Sequence, residues 1–112
     1  MKYYWIDIYY RDSSFGGAVT SLRWKAESID NLRKRLVAEK KDLSCSYVVF
    51  EVPADKGLRG LFGAIGDKGY RGTYNVKKIN GKKVPTWNVD QGNGWDYVRH
   101  EINKDGSLGR RL

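Results

Sequence analysis

One cysteine, one histidine and two prolines are spread over 112 residues, and each scarcity closes a class of chemistry. Cys45 alone forms no internal disulfide, which fits a reducing compartment. Cys45 and His100 are too few soft ligands for a structural zinc site. A Cys–His nucleophile pair would need these two side chains to meet beside a third, orienting group. In its strand context His100 reads as a surface or packing residue, and Cys45 as a small buried hydrophobe. The stretch Gly66-Asp67-Lys68-Gly69 lacks the hydroxyl of a phosphate loop, and no helical pattern follows it. The thirteen carboxylates are scattered among basic neighbours without a readable pair. The expectation is therefore a protein that is not an enzyme and needs no metal or cofactor.

Long apolar runs are missing too. No window approaches the roughly 20 apolar residues of a membrane-spanning helix. The opening "MKYYWIDIYY" is interrupted by Asp7 and has neither the apolar core nor the cleavage site of a signal peptide. A cytoplasmic protein with no membrane partner is expected.

What the chain does contain is positive charge and aromatic surface. Twenty-one Lys and Arg against 13 Asp and Glu leave a net charge of +8, which favours an acidic partner. With 40% apolar residues the chain should fold, and its length suits a single domain over 1–112.

Lys2 to Arg11 alternates as a strand, with Tyr4, Ile6, Ile8 and Tyr10 assigned to the core and Tyr3, Trp5, Asp7, Tyr9 and Arg11 to the other face. A helix or the glycine segment is expected to cover Tyr3, Trp5 and Tyr9. Ala18 to Ala26 reads as a second strand in an antiparallel hairpin with the first, Leu22 and Trp24 pointing inward. Ser28 is placed to cap a helix whose apolar face carries Ile29, Leu32, Leu36 and Val37. Arg33, Lys34 and Arg35 are assigned to its solvated side. "SYVVFEV", 46–52, reads as a buried central strand.

Asn80-Gly81 suits a two-residue type I′ turn, because both positions need positive φ. That turn predicts Ile79 opposite Lys82, Val76 opposite Pro85, and Tyr74 opposite Trp87. Pro85 cannot donate to a ladder, so its strand should be an edge or bend there. A last strand runs from Trp95 to about Ile102, and 103–112 reads as a turn and a basic tail. The expected fold is α+β: one helix packed on a mostly antiparallel sheet, in the order β-β-α-β-(Gly-rich loop)-β-β-β.

The Gly-rich excursion spans 53–72 and places glycine at every third position from Gly57 to Gly72. It contains no proline beyond Pro53, which sets it apart from collagen. Gly60 to Gly66, "GLFGAIG", resembles the start of the influenza haemagglutinin fusion peptide. A fusion peptide needs a free apolar terminus, however, and this stretch is internal and flanked by Arg59, Asp67 and Lys68. No function follows from that likeness. Loops this long in compact domains are usually functional or disordered. An adaptable contact surface and a cover folded over the core both fit it.

From Lys56 to Lys83 eight cations meet one anion, Asp67. Lys77, Lys78, Lys82 and Lys83 straddle the turn, so all four ammonium groups are expected to crowd one hairpin tip. Like charges facing across a hairpin destabilise it unless an anion is nearby. These four lysines, with Arg59, Lys68 and Arg71, form the candidate site for nucleic acid or another acidic partner. Two function classes stand. One is a small basic, non-catalytic protein that binds nucleic acid or a nucleoprotein through the hairpin and the Gly-rich loop. The other is a phage- or plasmid-type inhibitor (anti-CRISPR-like) or adaptor that binds a host protein, with Phe62 and Tyr70 as anchors.

Overall fold

A computed structural model describes residues 1–10, 20–52, 69–90 and 97–112. Within them lie seven strands and one helix: β1 (Lys2–Tyr10), β2 (Thr20–Ala26), α1 (Ile29–Glu39), β3 (Cys45–Val52), β4 (Tyr70–Ile79), β5 (Lys82–Asp90), β6 (Tyr97–Ile102) and β7 (Leu108–Arg111). The strands form one antiparallel sheet in the order β2-β1-β3-β4-β5-β6-β7. The architecture is α+β with more sheet than expected. Residues 103–112 hold a turn and a seventh strand rather than a tail. Tyr70, Arg71 and Gly72 belong to β4, whereas 53–68 lie outside the described residues.

Strand parity sorts the side chains. One face carries Tyr4 and Ile6 of β1, Tyr47 and Val49 of β3, Tyr74 and Val76 of β4, and Trp87 of β5. All are buried, and Leu32 and Leu36 of α1 complete the cluster. Leu22 and Trp24 pack at its margin, as their alternation predicts. Tyr10, assigned to the core, is 53% exposed: it ends β1 past the last pair with β2, Ile8↔Thr20, so no described strand flanks it on that side.

The helix starts where its cap predicts: Ser28 Oγ accepts from Asn31 N at 3.2 Å. Its basic run, however, is not uniformly solvated. Arg33 is buried over the sheet, its guanidinium 5.1 Å from the Trp87 ring. It donates from Nε to Gly106 O at 2.7 Å and forms an ion pair with Asp30. Burial lowers its pKa, and the Asp30 carboxylate opposes that shift. Arg35 lies 3.8 Å from the Trp24 ring centroid and pairs with Glu39, while Lys34 is exposed. Arg33 thus joins α1 to the β6–β7 turn, an interaction across 73 residues that a local charge pattern does not encode.

The Asn80-Gly81 turn has φ of 51° and 79°, as a type I′ turn requires. The register has Ile79 against Lys82, Val76 against Pro85 and Tyr74 against Trp87, all as predicted. Pro85 does not mark an edge strand, since β5 lies between β4 and β6. Pairing with β6 begins only at Thr86, so Pro85 sits where β5 is locally an edge. Gly72 supplies another local fit: a Cβ there would collide with the Trp87 indole, which lies across β4.

Candidate functional site

The β3 register with β4 ends at Ser46↔Asn75, and that of β5 with β6 begins at Thr86↔Glu101. Residues 76–79 and 82–85 therefore extend past both neighbours as a two-stranded ribbon, about 13 Å long at the usual rise per residue. All four lysines of the candidate site lie on it. They do not crowd together. A strand alternates its side chains, so each Lys-Lys pair is divided between the faces.

Lys78 and Lys83 stand directly opposite each other on the helix face. Counting back from the turn, theirs is a non-hydrogen-bonded pair, with Cβ atoms about 4.5–5.5 Å apart. Lys77, opposite Val84, and Lys82, opposite Ile79, lie on the other face. Lys78, Lys82 and Lys83 are exposed, and no carboxylate among the described residues pairs with them. The tip therefore carries one opposed like-charge pair.

Beneath the helix-side lysines lies a groove of about 180 Å³, lined by Val37, Lys41, Tyr74, Val76, Lys83 and Pro85. Its floor is apolar and its rim is basic. Tyr74 closes one side and donates its hydroxyl to Lys40 O at 2.6 Å, which ties β4, at the base of the ribbon, to the end of α1.

Arg71 is not part of this cluster. Lys77 is six positions further along β4, about 20 Å away. It forms an ion pair with Glu51 at 3.4 Å and donates to Tyr70 O at 3.1 Å. Arg59, Lys68 and Phe62 lie outside the described residues. Tyr70 is far from the groove. A bulge at Val49/Phe50 places it against Phe50, with ring centroids 6.1 Å apart, on the sheet face opposite the helix.

The sequence predicts that a helix or the glycine segment covers that opposite face. The helix packs on the other side, and no described element crosses this one; 53–68 of the glycine segment lie outside the described residues. Tyr3, Trp5 and Tyr9 are half-buried there, beside Phe50 and Tyr70. Across β4, β5 and β6 the same face carries Asn75, Asn88 and Arg99, which with Ser46 and Thr73 line a polar concavity of about 250 Å³. Charge and motif reasoning miss these amides. Their signal is parity: Asn75 alternates with Tyr74 and Val76, and Asn88 with Trp87 and Val89.

Cys45 and His100 lie on β3 and β6, separated by two intervening strands, about 14 Å of sheet. Cys45 is buried, and His100 Nδ1 is 3.1 Å from Gly109 O of β7. Among the described residues no three His, Cys, Asp or Glu side chains come together as metal ligands. No described helix is long and apolar enough to cross a membrane. No protein-family model, curated protein or solved structure matches this chain.

Proposed function

We propose that this chain is a small basic, non-catalytic binding protein that grips the phosphate backbone of nucleic acid with the β4–β5 ribbon. The supporting observation is the opposed Lys78–Lys83 pair at the end of a projecting ribbon, with no described carboxylate to neutralise it. Such a pair costs stability in the free protein and is relieved by an anion. Phosphate contacts of this kind position a nucleic acid and carry no sequence information.

A second reading rests on the groove. An apolar floor with Lys41 and Lys83 on its rim suits an apolar side chain flanked by carboxylates, as on an acidic protein partner. This is the inhibitor or adaptor reading.

Binding of the Lys77→Gln/Lys78→Gln/Lys82→Gln/Lys83→Gln variant across a salt series tests the proposal, with folding checked by circular dichroism. The slope of log K against log salt should fall by about 0.7–0.9 for each phosphate that the variant no longer neutralises. Affinity should fall similarly for every sequence. Separate Lys77/Lys82 and Lys78/Lys83 double variants report which face of the ribbon meets the backbone. A protein partner would instead concentrate the loss in one or two groove anchors, with a weaker salt response. Wild-type affinity at every salt concentration would remove the ribbon from the site.

A further inference from the structure

The face opposite the helix has three features that the ribbon proposal does not use. The first is an aromatic row. Trp5 pairs in register with Phe50, and Phe50 with Tyr70, so three rings cross β1, β3 and β4 side by side. Their orientation is fixed by neighbours. Trp5 Nε1 donates to Asp7 Oδ1 at 2.6 Å, and Tyr70 meets Phe50 at an interplanar angle of 65°.

The second feature is the concavity at the end of this row. The Tyr70 hydroxyl is 3.2 Å from Thr73 Oγ1 and donates to Asn88 O at 3.4 Å, so the last ring borders the polar wall. Arg99 donates from Nε to Asn88 Oδ1 at 2.6 Å, which fixes the guanidinium plane. Its Nη groups have no partner among the described residues. Among the described residues no acceptor meets the Asn88 Nδ2 donors. Asn75 uses Nδ2 on Ser46 Oγ at 3.0 Å and Tyr74 O at 3.2 Å, and no described donor meets its Oδ1. Asn75 and Asn88 are only 6% and 7% exposed, and neither has a fully buried side-chain N or O without a partner, so the groups they offer a ligand lie at the surface of the concavity. At about 250 Å³ the space is smaller than clefts that enclose drug-sized ligands. It suits one heterocycle with donors and acceptors on its edge.

The third feature is charge. Arg23, Lys25, Lys77, Lys82 and Arg99 share this face by register, against Asp7 and Glu101 among the described side chains. Both acids are engaged: Asp7 accepts from Trp5 and Ser21, and Glu101 pairs with Arg110. The row from Trp5 to Arg99 crosses four inter-strand spacings, about 19 Å. That is room for several nucleotides.

We propose that this face holds a single strand of nucleic acid, with one base seated between Asn75, Asn88 and Arg99 and its neighbours stacked along Tyr70, Phe50 and Trp5. Ring faces and base edges are free together only when bases are unpaired, which excludes a duplex here. Stacking on aromatic side chains tolerates any base, and the amide–guanidinium pocket adds a preference at one position. This inference rests on the nucleic-acid reading of the ribbon and specifies the form of the partner.

The test uses fluorescence anisotropy with labelled oligothymidylate, oligouridylate and a mixed-sequence duplex. The wild type should bind both single strands more tightly than the duplex. Arg99→Lys keeps the charge and removes the planar fork; Tyr70→Leu removes a ring. Each should weaken single-strand binding about 10-fold or more with an unchanged salt slope, while the four-lysine variant lowers the slope. NMR of the wild type with oligothymidylate needs no variant, and should shift the Asn75 and Asn88 side-chain amides. If these amides stay still, or both point variants bind as wild type while the four-lysine variant fails, the aromatic–amide site is wrong and the ribbon stands. A wild type that prefers duplex also overturns the aromatic–amide site alone. Failure to bind any of the three probes at low salt overturns both proposals.

Discussion

Gly106 occupies the β6–β7 turn with φ of 90°, pressed against the first turns of α1. A Cβ at this position would overlap the Asp30 carbonyl oxygen and lie 2.7 Å from Lys34 N. Both obstacles are backbone, so no side chain can swing aside. Gly106→Ala must therefore lift the turn off the helix. The turn carries the carbonyl that accepts from the buried Arg33 Nε. Positive φ costs an alanine about 1–2 kcal/mol, and losing a hydrogen bond to a charged group costs about 1.5–3 kcal/mol. The sum is about 2.5–5 kcal/mol, a large share of the ~5–15 kcal/mol that holds a domain together. For a chain of this size each kcal/mol lowers Tm by about 4 °C, so a fall of about 10–20 °C is expected by circular dichroism. Gly81→Ala is the internal control. Its φ is also positive, but nothing lies within 4 Å of the added Cβ. Only the conformational cost applies there, about 4–8 °C. Equal melting temperatures for the two variants would refute the seating of the turn on α1, and with it the account of Arg33.

Two more outcomes follow from the core. The Tyr4 hydroxyl is buried without a hydrogen-bond partner among the described residues, so Tyr4→Phe should leave Tm unchanged or raise it, since nothing is lost with the oxygen; a marked fall in a thermal melt would reveal a partner. Burial, followed by the charges of Cys45 and Asp42, pushes the Tyr47 phenol up to about 12 from 10.0, and burial raises Tyr74 further. The folded state thus holds protons that the unfolded state loses near pH 10, so this contribution is complete below that pH and disappears as pH rises through about 12. Urea midpoints measured across this window should fall, and a flat profile would show that both phenols titrate freely in the folded protein.

The parts of the fold legible in the sequence are those set by neighbours in the chain. Two consecutive residues able to take positive φ fixed the β4–β5 turn, and a turn of two residues leaves one register, so three cross-strand pairs followed. Ser28 and the Leu32–Leu36 spacing marked the helix in the same way. The misses depend on distant contacts. Four residues with Gly109 among them carry little strand signal, and β7 exists because its turn seats on α1 through Gly106 and Arg33. Arg33 looks solvated until Trp87 and Gly106 are brought to it. Tyr70 escapes for another reason: without the bulge, parity would send it to the core face with Tyr74 and Val76.

Strand periodicity alone divides the lysines of the candidate site between two faces. Adjacent lysines on a strand cannot share a face, so Lys77-Lys78 and Lys82-Lys83 had to divide once the Asn80-Gly81 turn was accepted. The turn also decides which lysines oppose: Lys78 meets Lys83, whereas Lys77 and Lys82 meet Val84 and Ile79. One repulsive pair results, not two, and it overlooks the apolar groove beside Lys41. The other two cations extend the charge of the aromatic face. A single ribbon therefore serves two surfaces of different chemistry, one apolar with a basic rim and one aromatic with amides and an arginine. Charge alone could not separate a nucleic-acid partner from an acidic protein. The division of the lysines by face narrows the choice: an acidic protein seated in the groove would depend on Lys83 and spare Lys77 and Lys82, whereas a strand lying on the aromatic face would draw on Lys77 and Lys82.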